Sequence, residues 1–340
     1  MATNETKISA CYIVKNESKN LRRSLNSLHE VDEIIVVDTG SEDDTLEVAK
    51  EFGAKIFHET WQEDFSAPRN VALSHATGDW IVFLDADEYF TDKTANNLRI
   101  VIEKFDKTKV NGLLIYIVNV DEDKEDTVID TTFTLRIFRN LKGLKYVGKI
   151  HENLKLNGFE FPKVMALPVK FLTINHTGYS SSINKAKAER NLKIILAEME
   201  TTDSPQAFYG HLAQCYYGLD DFNNAEKFAK MDIESGVVQS TFASRSYRIL
   251  LSVLSSNTDR NSEKKEVLEK TVEKFPDIPE FCAELAEMYA AQSDYKKAVE
   301  LMKRALDNYE NYDGIEPFHF DNKLAEVARQ HLYQWQIFLI

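Results

Sequence analysis

The sequence predicts an α/β domain on a parallel sheet over residues 1–181, followed by an all-α helical repeat domain over residues 182–340. Three observations carry this prediction. Strand-like runs rich in Ile and Val alternate with helical stretches through the first part of the chain. One run, Trp80 to Leu84, is wholly apolar, as in a strand covered on both faces, and ends in the carboxylates Asp85, Asp87 and Glu88. From Ser182 onward, glycine and β-branched runs thin out, and Ala, Glu, Lys and Leu recur at helical spacing.

Taken in order, Ile8 to Val14 reads as a first strand, broken by Lys15 to Ser18 before a helix carrying Leu21, Leu25 and Leu28 on one side. Val31 to Val37 is a second strand. It ends in Asp38-Thr39-Gly40-Ser41-Glu42-Asp43-Asp44-Thr45, a turn with several N-cap residues ahead of the next helix. Gly53 to Phe57 forms a third strand, Trp61 to Asn70 a loop, and Val71 to Ala76 a helix that stops at the Gly78-Asp79 turn before the carboxylate strand. Strand and helix in alternation imply βαβ units with right-handed crossovers. Glu17, Asp38 and the Asp85/Asp87 pair then fall at carboxyl ends of strands, the edge where open α/β sheets bind ligands. Two aspartates one residue apart at that edge suit a hard divalent cation and, through it, a diphosphate.

The composition, 43% hydrophobic and 28% charged, is that of a folded globular protein. A formal net charge of −14 argues against a general nucleic-acid or anionic-membrane surface, which needs clustered Lys and Arg. The first residues show no signal-peptide pattern and no apolar run is long enough to span a bilayer. The three cysteines, Cys11, Cys215 and Cys282, lack metal-ligand spacing and read as reduced thiols, so a cytoplasmic enzyme is the expectation.

The segments Val36 to Thr45, Ala67-Pro68-Arg69-Asn70 and Gly78 to Glu88 together resemble a family 2 glycosyltransferase with the GT-A fold, with the dense match over Lys7 to Glu88. The resemblance implies an inverting enzyme that uses a nucleotide sugar, most simply a UDP-sugar, with Mn²⁺ or Mg²⁺. It implies that Asp38 contacts the uracil or ribose, that Arg69 lies near the nucleotide, and that Glu17 lines the nucleotide pocket. Asp85 and Asp87 match the metal motif, Asp87 at the cation and Asp85 at the ribose or a metal-bound water. Capping for Asp38, a surface ion pair with Asp64 for Arg69, and a solvated loop for Glu17 are the competing structural readings.

Downstream, Thr91 to Phe105 reads as a helix, Gly112 to Val120 as a strand, and Asp121 to Asp126 as an acidic loop or hairpin. The strand Thr134 to Asn140 and the following Tyr146-Val147-Gly148-Lys149-Ile150-His151-Glu152 resemble a subgroup of the same family that carries tetratricopeptide (TPR) repeats. Inverting transfer needs a base for the acceptor proton. Glu152 is expected in that role with His151 as the alternative; on an extended segment their side chains face opposite ways. A pairing of Glu152 with Lys149 is the structural alternative. His176, in Ile174 to Tyr179, is the candidate third metal ligand or else a turn-stabilising residue. Arg136 and Arg139 are left between meeting the diphosphate and bracing the acidic edge.

In the second domain, Tyr209, Leu212, Ala213, Tyr216, Ala225 and Ala229 recur in pattern as Cys282, Leu285, Ala286, Tyr289, Ala298 and Met302, the texture of TPR helix pairs. A degenerate repeat from about Ser246 to Phe275 lies between them. His319 to Ile340 reads as an apolar capping helix. The expected partners are a nucleotide sugar, a peptide, protein or glycan acceptor, and a second copy of the chain through the repeats. A nucleotidyltransferase and a non-catalytic TPR adaptor are the other classes weighed. The first lacks a Gly-rich basic start, and the intact Asp85/Asp87 pair speaks against the second.

Overall fold

The computed structural model describes residues 5–178, 180–237, 242–320 and 322–339, so Tyr179 and the terminal Ile340 lie outside the described residues. The chain divides into two compact units, Met1–Asn184 and Lys185–Ile340.

The first unit runs β1 (Ile8–Val14), α1 (Ser18–Ser27), β2 (Glu33–Asp38), α2 (Thr45–Glu51), β3 (Lys55–His58), α3 (Ser66–His75), β4 (Trp80–Phe83), β5 (Glu88–Phe90) and α4 (Leu98–Asp106). It continues with β6 (Gly112–Asp121), β7 (Thr127–Arg139), β8 (Leu144–Val147), β9 (Asn153–Leu156), β10 (Phe159–Glu160), β11 (Val164–Ala166) and β12 (Thr173–His176). The main sheet has the order β3-β2-β1-β4-β7-β6-β12-β5, with β11 beside β6, and a small sheet pairs β10, β9 and β8. Strands β1 to β4 are parallel, as expected, and Val14 lies opposite Asp38 so that their carboxyl ends align.

Beyond β4 the sheet departs from the all-parallel expectation. Strand β7 is antiparallel to both β4 and β6. The acidic run is the cause: Glu125 and Asp126 take left-handed backbone angles of 52° and 56°, closing a hairpin, and hairpin-joined strands pair antiparallel. The helix expected from Thr91 starts later, with α4 at Leu98 behind a short 3₁₀ turn.

The apolar texture of β4 is explained by layers on both faces. Trp80, Val82 and Leu84 join one core with Ala10, Tyr12 and Ile137; Ile81 and Phe83 join the opposite core with Cys11, Ala72, Phe138 and Tyr146. The turn before β4 requires glycine: a Cβ on Gly78 would stand 2.7 Å from the Ser9 backbone nitrogen, while the Gly78 N–H donates to Ser9 Oγ at 2.8 Å.

The chain then enters α5 (Ser181–Met199), within which the division into units falls, and continues through α6 (Tyr209–Gly218), α7 (Phe222–Ser235), α8 (Arg245–Ser255), α9 (Asn261–Lys274), α10 (Pro279–Ala291), α11 (Tyr295–Asn311) and α12 (Asn322–Ile337). The small residues of the predicted repeat, Ala213, Ala225 and Ala229 and then Cys282, Ala286 and Ala298, are fully buried where helices meet. The turns repeat as well. Asp220 and Ser293 both adopt φ of 62°, and the next residues, Asp221 and Asp294, cap α7 and α11 by accepting from the third backbone N–H onward. Among the described residues, no helix is long and apolar enough to cross a membrane. All three cysteines are free and buried, and burial pushes the Cys215 and Cys282 thiols up to about 11.

Candidate active site

Alternation along β4 sends Asp85 off the strand end on the side of Ile81 and Phe83, the face on which α3 packs. Helix α3 brings Arg69, 6% exposed, onto that face, with its guanidinium 4.8 Å from the Phe83 ring centroid and 5.5 Å from that of Tyr146. The segment after β8 is tied to α3: Asn70 exchanges hydrogen bonds with the Tyr146 backbone at 2.8 and 2.9 Å, and Ser66 Oγ donates to the Gly148 carbonyl at 2.6 Å. These ties place Glu152 against Arg69.

The result is a chain of alternating charge. Arg69 Nε donates to Glu152 Oε1, and Arg69 Nη2 donates to Asp85 Oδ1 at 2.7 Å. On the other side, Arg136 Nη2 donates to Asp85 Oδ2 at 2.8 Å and to Glu88 Oε1 at 2.6 Å. Glu88 closes a ring by accepting from the Asp85 backbone N–H at 3.1 Å. Burial opposes ionisation of Asp85, but the guanidinium groups of Arg69 and Arg136 outweigh it and hold the carboxyl well below its usual range. For Glu88, 1% exposed, burial prevails over Arg136 and raises the pKa. Burial lowers the arginine values, yet their carboxylate partners win and push both upward. Among the described residues, Arg69 Nη1 and Arg136 Nε are buried without a hydrogen-bond partner.

Beside this chain, His176 at the end of β12 places Nε2 3.5 Å from Asp87 Oδ1, and its Nδ1 lies 2.6 Å from Asn119 Oδ1. The Asn119 amide NH₂ donates to Asp130 Oδ1, which makes its oxygen the acceptor for the imidazole N–H. In the neutral ring the Nε2 lone pair then faces the Asp87 carboxylate. That donor set, one imidazole nitrogen and one carboxylate oxygen with the ring braced from behind, fits a divalent cation between them. Thr177 fixes the Asp87 backbone through its N–H, 3.1 Å from the Asp87 carbonyl. Among the described residues, no three His, Cys, Asp or Glu side chains form a ready metal cluster; both Asp85 oxygens accept from arginine instead.

At the neighbouring strand end, the Asp38 carboxylate accepts from the Gly40 and Ser41 N–H groups, at 3.2 and 3.0 Å, and lies 3.4 Å from His58 Nδ1. It is 4% exposed and retains capacity for one more donor such as a hydroxyl. Glu17 accepts from Asn20 Nδ2 at 2.7 Å at the start of α1. His151 is exposed and holds a left-handed φ of 52°, so the extended segment expected there is interrupted, and Glu152 pairs with Arg69, not Lys149.

Residues 9–164 match the family model described as glycosyl transferase family 2. This stretch is a family 2 glycosyltransferase domain. The chain is similar to a TPR repeat-containing protein of Synechococcus elongatus, 39% identical over 43% of this chain and 34% of that protein. It is also similar to the glycosyltransferase SunS of Bacillus subtilis, 31% identical over 55% of this chain and 44% of the relative. The chain thus spans less than half the length of these curated relatives. Among solved structures, TarS of S. aureus aligns at 18% identity over 75% of this chain and 54% of that one, with a TM-score of 0.41. Glucosyl-3-phosphoglycerate synthase from Mycobacterium tuberculosis, solved with Mn²⁺ and UDP, aligns at 21% identity over 33% and 44%, with a TM-score of 0.29.

Within the first unit the fold joins Arg69, Asp85 and Glu152 in one ion-pair chain and sets Asp87 against His176, while the Asp38 carboxylate meets the turn after β2 and His58, and Glu17 meets Asn20. Sequence reasoning missed Glu88 and Asn119 as participants and left Arg136 unassigned. Parity was the available signal. The β4–β7 register pairs Ile81 with Phe138 and Val82 with Ile137, so Arg136 follows opposite Phe83, on the Asp85 face. Arg139, of opposite parity, instead bonds Asp106 Oδ1 at 2.8 Å and stacks on Trp80.

Proposed function

We propose that this protein is a metal-dependent inverting glycosyltransferase that moves a sugar from a nucleotide sugar, most simply a UDP-sugar, to a peptide, protein or glycan acceptor. The single observation that carries the reading is the continuous path from Glu152 through Arg69 to Asp85 at the carboxyl edge of the parallel strands. In this reading it ties Glu152, on the acceptor side, to Asp85, on the donor side.

Asp87 and His176 would hold the cation, whose chemistry when bound is to offset charge on the departing diphosphate. Asp38 receives a ribose or base donor, and Asp85, oriented by two arginines, receives a donor hydroxyl or water. Glu152 takes the acceptor proton, with His151 the alternative on the exposed side of the same loop. A base in this role contributes about 10²–10⁴-fold. The TPR-like helices hold the acceptor, since stacked helix pairs present extended faces suited to peptide segments. Relatives named glycosyltransferase support the chemistry in kind. The test is to incubate the protein with Mn²⁺ and a panel of nucleotide sugars and to follow nucleoside diphosphate release. No release, together with no UDP-dependent thermal shift, would refute the reading.

A further inference from the structure

We infer that Arg136 is a positioning residue that, through Asp85 and Arg69, sets the place of Glu152, so that the donor-side and acceptor-side carboxylates are held as one unit. The role for Glu152 rests on the transferase reading above; the bridge itself does not. Four features carry the inference. The chain Glu152–Arg69–Asp85–Arg136–Glu88 alternates in charge without a break. Its members come from the loop after β8, from α3, from the end of β4, from β7 and from β5, so the chain fastens five separate segments of the first unit. Both arginine side chains are largely withdrawn from solvent, at 7% and 13% exposure, where a guanidinium holds a fixed geometry better than at a wet surface. Each arginine also keeps one buried donor that no described residue accepts from, so neither fork is wholly taken up by its carboxylate partners.

Among the described residues, Arg136 pairs with Asp85 and Glu88, and with neither Glu152 nor the Asp87–His176 pair. If its role were confined to neutralising the buried Glu88, changes at residues 136 and 152 would be energetically independent. If it positions, a change at residue 136 is felt at residue 152.

The test is a double-mutant cycle on the full chain by chemical denaturation, with Arg136→Lys and Glu152→Gln made singly and together, and then repeated in an Arg69→Met background. Independent sites add to within about twofold in the unfolding equilibrium constant, whereas members of one network deviate further. A bridge predicts a deviation of about threefold or more that disappears when Arg69 is Met. Should Arg69→Met fail to fold, Arg69→Lys serves, because it keeps the charge and loses the fork. Additivity in both backgrounds overturns the inference.

A second readout addresses the enzyme. Nucleotide release from a UDP-sugar with Mn²⁺ is compared for Arg136→Gln and for Arg136→Gln with Glu88→Gln. Positioning predicts that the double variant stays depressed in kcat by about tenfold or more, as does the single one. Recovery to the wild-type rate on removing the Glu88 charge overturns the inference. Wild-type protein that releases nothing from any nucleotide sugar would end the transferase reading and leave the unfolding cycle intact, so the two failures are distinguishable.

Discussion

Replacing Arg69 by Met isolates the energetic centre of the site. Methionine preserves much of the packing against Phe83 and Tyr146 while deleting the guanidinium, leaving Glu152, 12% exposed, and Asp85, 30% exposed, without their shared partner. Removing one member of a buried ion pair typically destabilises by about 3–5 kcal/mol. Because Arg136 still holds Asp85 at 2.8 Å, the lower end, about 3 kcal/mol, applies here. For a unit of this size that corresponds to a fall in Tm of about 6–12 °C. The transition of the first unit is followed by the fluorescence of Trp80, which is fully buried in it.

The pH dependence has a definite sign. Arg69 and Arg136 depress the folded-state pKa of Asp85, so its contribution is fully present above the unfolded value of about 3.9 and is lost as pH falls through the folded value. The gap between wild type and Arg69→Met is therefore full at neutral pH and narrows below about pH 4. A Tm change under about 2 °C, with a gap that does not vary between neutral and acid pH, would refute the ion-pair account.

Further outcomes follow from the same geometry. Glu152→Gln lowers kcat for transfer by about 10²–10⁴-fold if Glu152 takes the acceptor proton, and turnover at the normal rate removes it from that role. Asp87→Ala, which deletes the carboxylate facing His176, reduces Mn²⁺-dependent nucleotide release on the order of 10²-fold or more, and calorimetry with UDP and Mn²⁺ reads the accompanying loss of binding. Asn119→Ala frees the His176 tautomer and raises the Mn²⁺ concentration needed for half-maximal binding by about 10–100-fold; an unchanged titration would exclude His176 as a ligand.

Much of this molecule is legible in its sequence. Periodicity announced β1 to β4 and the helical repeat, because both depend on local alternation of apolar and polar residues that survives in a linear reading. The Asp85/Asp87 pair is located by the buried-type strand ahead of it, and the small residues of the repeat mark the helix crossings. The antiparallel turn of the sheet at β7 was less legible, since the acidic run was open to either a loop or a hairpin.

What only tertiary structure decided is who meets whom. Arg69 lies sixteen residues before Asp85 and eighty-three before Glu152, and nothing local says that one guanidinium joins both. Parity along β7 already puts Arg136 and Arg139 on opposite faces, but only packing sets the acidic edge on the first face and Asp106 on the second. His176 meets Asp87 because β12 pairs antiparallel with β5 and parallel with β6, which also brings in Asn119 behind the ring. Local pattern fixes which face a side chain takes, because alternation is a property of neighbours along the chain. Long-range pairing between strands fixes which charge it faces there, because register is settled by packing the whole sheet.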